Sequence, residues 1–257
     1  MTALLEVDAI SRRFGGLNAL KDVSFAIQPN EIIGLIGPNG AGKTTCFNVV
    51  SGVMRPSSGA IRFKGRSIVG RTPSQIVSEG LVRTFQATTV FPQSTVIENV
   101  MRGAFTTANV SMIGSIFNTS ASRTALAETE ARCDLLLERL ALTPFRERRA
   151  GELSYGAQRR LGVAIALAAK PVLLMLDEPV AGLNPEEAAD FGRLIRQLHE
   201  SENIAVLLVE HHMRLVMGLC HRLVVLDHGE KIAEGSPVEI RANRKVIEAY
   251  LGAEEAA

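Results

Sequence analysis

The chain has 257 residues, 46% hydrophobic and 21% charged, enough to bury a sizeable core and near the upper limit for one domain. Its 28 lysines and arginines against 27 acidic residues give a formal charge of +1, which argues against nucleic acid as the main ligand. The longest apolar stretch, Leu161 to Leu176, is broken by Lys170 and Pro171 and is too short to span a bilayer. The start lacks a secretory pattern, and the scattered Cys46, Cys133 and Cys220 predict a reducing, cytoplasmic setting.

In chain order, the alternations Leu5/Val7 and Val23/Phe25/Ile27, punctuated by Gly15-Gly16 and Pro29-Asn30, predict strands with tight turns. Ile32 to Ile36 is a near-continuous apolar run and predicts a buried strand entering a glycine-rich turn. Arg55-Pro56-Ser57-Ser58-Gly59 marks a turn into a strand pair around Ala60 to Phe63 and Ser67 to Val69. Phe105 to Arg123 is polar and reads as either a loop or a weak helix. Ala127 to Leu140 predicts a helix whose apolar positions are Ala131, Leu135 and Leu142, with Leu136 and Leu137 beside them.

The second half alternates helix and strand: a helix from about Ala157, a strand Val172 to Leu176, a helix from Pro185, a strand Ile204 to Val209, a helix around Met213 and a strand Leu223 to Leu226. That order predicts an α/β fold with a mostly parallel sheet. Asn184 as N-cap, Pro185 in the first turn and Glu187 at the capping-box position start one helix, and Ser236-Pro237-Val238-Glu239 starts another.

Gly37-Pro38-Asn39-Gly40-Ala41-Gly42-Lys43-Thr44-Thr45 follows the buried strand directly and satisfies G-x-x-x-x-G-K-[ST]. Its glycines permit positive φ, so that consecutive amides and a helix N-terminus surround phosphate oxygens. Lys43 is placed to reach the β- and γ-phosphates of ATP, and the Thr44 hydroxyl to complete the shell of Mg²⁺. The strand Val172 to Leu176 delivers two carboxylates at its C-terminal end, where open α/β sheets bind ligands. Asp177 is assigned to the Mg²⁺ shell and Glu178 to the attacking water as general base.

Leu153-Ser154-Tyr155-Gly156-Ala157-Gln158-Arg159-Arg160, shortly before that strand, resembles the signature motif of ABC ATPases. The resemblance covers nearly the whole chain. It implies a P-loop NTPase core, an N-terminal antiparallel β subdomain and an inserted helical subdomain at about 88–165, all within one nucleotide-binding domain, 1–257, that ends in a helix at about 237–252. It also implies a head-to-tail pair, in which Ser154 and the Gly156 backbone contact ATP held by the partner. Ser154 is equally an ordinary helix N-cap, and Tyr155 and Ala157 depart from the usual Leu-Ser-Gly-Gly-Gln.

The same resemblance matches Gln86 to a glutamine that approaches Mg²⁺ and water, against the alternative of a solvated loop residue. It matches His211, rather than its neighbour His212, to a histidine that hydrogen-bonds the γ-phosphate; alternation along an extended chain points the two rings to opposite sides. Phe14 fits the aromatic that stacks on adenine, or else is a core or turn phenylalanine. Ala181-Gly182-Leu183-Asn184 fits the D-loop.

Phe14-Gly15-Gly16, Val82-Arg83-Thr84-Phe85-Gln86, Thr95-Val96-Ile97-Glu98-Asn99-Val100, Tyr155 and the ending Val246-Ile247-Glu248-Ala249-Tyr250-Leu251-Gly252 together resemble the ATPases of bacterial branched-chain amino-acid importers. The implied partners are integral membrane permeases, a second ATPase subunit and, indirectly, a substrate-binding protein, on the cytoplasmic face of the inner membrane. Competing readings are an ATPase of lipopolysaccharide export or urea/amide uptake, a non-transport ABC ATPase, and a small-molecule kinase.

Overall fold

In a computed structural model, which describes residues 2–84, 90–105 and 120–254, the N-terminal alternation becomes an antiparallel sheet. Strands β1 (Leu5–Phe14) and β2 (Leu17–Ile27) form a hairpin through Gly15-Gly16, and β4 (Ser58–Phe63) and β5 (Arg66–Ser67) extend it in the order β2-β1-β4-β5. Leu5 and Val7 point inward from β1 and Val23, Phe25 and Ile27 from β2, the period of two that a one-sided sheet requires; Ile10 is also buried, three residues on, across a register shift after Val7.

A second sheet contains β3 (Ile32–Ile36), β6 (Leu81–Arg83), β7 (Leu173–Asp177), β8 (Ala205–Val209), β9 (Arg222–Asp227) and β10 (Glu230–Gly235), in the order β10-β9-β3-β8-β7-β6. All its pairs are parallel except β9 with β10. Every residue of β3, β7 and β8 is buried, as expected for a sheet covered on both faces.

Parity along these strands assigns the covers. Ile33, Leu35, Leu173, Met175, Ala205 and Leu207 pack with the antiparallel sheet and with Cys46, Phe47 and Val50 of α1 (Lys43–Val50). Ile32, Ile36, Leu174, Leu176, Val206 and Leu208 face a helical layer. That layer holds α3 (Val96–Ala104), α4 (Ser120–Arg139), α5 (Tyr155–Ala168), α6 (Pro185–Glu202) and α7 (Met213–Leu219). A short helix, α2 (Pro73–Ser78), precedes β6. The crossovers β7-α6-β8 and β8-α7-β9 are the units that parallel pairing demands.

Three local expectations are corrected. The core face of α4 is formed by Cys133, Leu136, Leu137 and Leu140, while Leu135 is 55% exposed and Ala131 is exposed too; packing against α3 and α5 selects the Leu136/Leu137 side. The C-terminal segment is two helices, α8 (Pro237–Ala242) and α9 (Arg244–Glu254). Asn243 separates them because it leaves helical geometry (ψ 117°) and its Oδ1 accepts from the amides of Lys245, at 3.0 Å, and Val246, at 3.4 Å. The strand expected at Ser67 to Val69 ends at Ser67. Most of the ambiguous stretch from Phe105 to Arg123 lies outside the described residues, and α4 takes up its final residues.

Candidate functional site

The turn from β3 into α1 builds a cradle of backbone amides. Gly42 is the N-cap of α1 at φ 97° and supplies no side-chain hydrogen bond, so the first amides of the helix stay open to a ligand. Only glycine fits at two points. A Cβ on Gly37 (φ 150°) would lie 2.1 Å from the Leu226 carbonyl oxygen, and one on Gly42 would lie 2.6 Å from that of Ala19. These contacts seat the loop against β9 and β2.

Lys43 Nζ donates to the carbonyl oxygens of Gly37 at 2.7 Å and Pro38 at 2.8 Å. Burial pushes its pKa down and the charge of Glu178 pushes it back up. Asn39, Gly40, Ala41, Gly42, Lys43, Thr44 and Thr45 line a 420 Å³ cleft together with Glu178. The remaining walls are Leu17, Asn18 and Ala19 from β2 and His228 and Gly229 from the β9–β10 turn.

The two carboxylates differ in setting. Asp177, with 5% of its side chain exposed, is paired through Oδ2 with Arg83 at 2.8 Å. Arg83 also donates to Asn48 Oδ1 at 2.6 Å and Ser51 Oγ at 3.2 Å, and lies 4.7 Å from the Phe47 ring centroid. Glu178 takes a left-handed backbone, φ 44°, and its amide donates to the Val209 carbonyl at 2.9 Å. Such a conformation is costly for a non-glycine residue and clusters at functional sites; here it turns the carboxylate out of the sheet and into the cleft.

His211 Nδ1 stands 3.9 Å from Glu178 Oε1, with its side chain 63% exposed. His212 lies instead at the start of α7, lining a groove with Pro185 and Leu215, so the rings diverge as alternation predicts. Between β8 and His211, the buried Glu210 accepts from three amides: Val180 at 3.0 Å, His211 at 3.1 Å and His212 at 3.2 Å.

Other expected residues stand apart. Ser154 is the N-cap of α5, accepting from the Ala157 amide at 3.4 Å, and with Gly156 it lines a separate 210 Å³ cavity beside Leu183 and Glu187. Phe14 is 44% exposed, with the Arg12 guanidinium 4.8 Å from its ring centroid. It pairs across the hairpin with Leu17, which does line the cleft. Gln86 lies outside the described residues. Asn184 caps α6, its Oδ1 accepting from Glu186 at 3.0 Å and Glu187 at 2.9 Å.

Sequence reasoning missed Arg83, Glu210 and His228 as participants. The first two sit beside residues that it did single out, and an ionisable residue abutting an apolar strand end is the signal that could have found them. His228 projects from a turn next to Gly229, where only the pairing of β9 with β10 brings it to the cleft.

The family model described as ABC transporter matches residues 20–181, and one described as Branched-chain amino acid ATP-binding cassette transporter matches residues 230–256. The high-affinity branched-chain amino acid transport ATP-binding protein BraF of Pseudomonas aeruginosa is 42% identical over 97% of this chain and 98% of its own length. The corresponding LivG protein of Salmonella typhimurium is 43% identical over 97% and 98%. Among solved structures, the ADP conformation of an ATP-binding cassette of an ABC transporter superposes with a TM-score of 0.85 at 30% identity, over 98% of this chain and all of that one.

Proposed function

The chain belongs to the ABC transporter family of ATP-binding proteins, and from that premise we propose that it is the ATP-hydrolysing subunit of an importer for branched-chain or related amino acids. The observation that carries this is the cleft in which the phosphate loop, Lys43 and Glu178 converge. The relatives named above supply the transport context.

In this reading the backbone N–H groups from Asn39 to Thr45 and the ammonium of Lys43 bind the triphosphate, and adenine lies towards the hairpin tip that carries Phe14. Glu178 orients water and accepts its proton as the water oxygen attacks the γ-phosphorus and the bond to the β-phosphate oxygen breaks, leaving ADP and phosphate. His211, beside Glu178, hydrogen-bonds the γ-phosphate, and Gln86 is assigned to Mg²⁺ and the attacking water.

The oxygen donors Asp177 and Thr44 suit Mg²⁺. Bound there, the ion would neutralise charge on the phosphates. Among the described residues no group of three or more His, Cys, Asp or Glu side chains could hold a metal, so most of its ligands would come from phosphate and water. Ser154 and Gly156 line no part of this chain's own cleft. That separation supports a head-to-tail pair in which they complete the partner's site.

Among the described residues no helix is long and apolar enough to cross a membrane. The chain would therefore be held at the cytoplasmic face of the inner membrane by permease subunits, with a substrate-binding protein acting indirectly. Purification with an integral membrane permease, together with Mg²⁺-dependent ATP hydrolysis that rises when the cognate amino acid and binding protein are supplied, tests the proposal. Failure to hydrolyse ATP in that complex would overturn it.

A further inference from the structure

We propose that Arg83 is a positioning residue for Asp177: it is the counter-ion that fixes this carboxylate before nucleotide arrives, and it sets how strongly a divalent cation is held afterwards. The inference rests on the assignment of Asp177 to the metal.

The geometry leaves the guanidinium little freedom. Val82 and Arg83 of β6 pair in parallel register with Leu174 and Met175 of β7, and the Thr84 amide donates to the Met175 carbonyl at 2.9 Å. Arg83 is thereby held beside the end of β7. Its side chain is 11% exposed and is fixed from the other side by Asn48, Ser51 and the ring of Phe47. Asn48 and Phe47 belong to α1, the helix that opens at the phosphate loop. One planar cation therefore joins the Asp177 carboxylate, through one nitrogen, to the helix that carries the phosphate site, through another, a bridging role for which lysine is a poor substitute.

A carboxylate as buried as Asp177 is strongly disfavoured without a cation nearby. Arginine stays charged throughout the working pH range, so the 2.8 Å ion pair holds the Asp177 carboxylate in place while the cleft is empty. When a divalent ion enters with nucleotide, the carboxylate is shared between two cations. The guanidinium then lowers the metal's gain, because part of the negative charge is already neutralised. Removing Arg83 should weaken the empty protein and make nucleotide binding more dependent on metal. A purely structural ion pair would do only the first.

The test measures ADP dissociation constants with EDTA and with excess Mg²⁺, and melting temperatures of the empty and Mg²⁺–ADP-bound protein, for the wild-type chain and Arg83→Met. Loss of the cation should lower the Tm of the empty protein by roughly 10 °C, with a smaller deficit under saturating Mg²⁺–ADP. The ratio of the EDTA to the Mg²⁺ dissociation constant should rise about tenfold over wild type, the factor given by a gain of about 1.4 kcal/mol.

If Arg83→Met does not fold, Asn48→Ala loosens the guanidinium without removing its charge and should raise the ratio about twofold, an effect of roughly 0.4 kcal/mol. An unchanged ratio in the variant that folds, beside a metal-dependent wild type, overturns the role of Arg83 and leaves Asp177 untouched. A wild type whose ADP affinity ignores Mg²⁺, or an Asp177→Asn variant that keeps full metal dependence, overturns the assignment of Asp177 instead.

Discussion

The start of α1 and the start of α5 are both helix N-termini preceded by tight backbone turns, yet they are finished differently. Gly42 caps α1 without a side chain, and β2, the β9–β10 turn and Glu178 wall the resulting amides into a cleft. Ser154 caps α5 with its own hydroxyl, at a long 3.4 Å, and stays exposed. The first helix end opens into a cleft walled by several elements of the same chain. The second borders a separate cavity beside Leu183 and Glu187 and touches no wall of that cleft.

Four substitutions separate these two ends. Glu178→Gln acts on the phosphate-loop cleft and should cost about 10² to 10⁴ in turnover while sparing ATP affinity. An ATP-dependent dimer of this variant in size-exclusion chromatography would mark the loss as chemical, and rapid hydrolysis by it would remove Glu178 from the role. Lys43→Ala should weaken ATP binding by roughly 10- to 100-fold in calorimetry, the loss of a charge-assisted contact worth about 1.5–3 kcal/mol.

Ser154→Ala addresses the start of α5. Turnover of the assembled complex should fall about tenfold, equivalent to about 1.4 kcal/mol of barrier, with ATP affinity of the isolated chain unchanged. A loss of affinity in the isolated chain would place Ser154 in its own cleft and erase the distinction. Asn184→Ala, at the cap of α6, supplies the baseline for an ordinary helix start. It should cost about 1 kcal/mol of stability, seen as a fall of about 2–4 °C in Tm, and leave nucleotide binding intact.

The phosphate loop was legible in the sequence because its chemistry is contiguous: strand, glycines, lysine and threonine follow one another, and the backbone itself is the ligand. The caps at Asn184 and Ser236 were legible for the same reason. Thr72-Pro73-Ser74-Gln75 carries an equally local capping box that starts α2 and went unread. The buried strands were readable because a run buried on both faces needs no choice of side. The face of α4 did need one, and Leu135, Leu136 and Leu137 offer three answers until α3 and α5 are in place.

Partnerships across the sheet were not legible. Arg83 meets Asp177 only because β6 pairs with β7, and no spacing along the chain encodes that meeting. Phe14 illustrates the reverse case. An aromatic at the right distance from the phosphate loop is easily noticed, but the ring stands beside Arg12 at the hairpin tip, and the cleft wall is formed by Leu17, Asn18 and Ala19.

Glu210 ties together segments that follow different strands. Its two oxygens are occupied by Val180, just past the general-base candidate, and by the backbone of His211 and His212. The turn behind Glu178 and the one bearing the histidines thus share a single anchor, buried where water cannot replace it. Neither backbone segment can shift away from the other without breaking a hydrogen bond to Glu210.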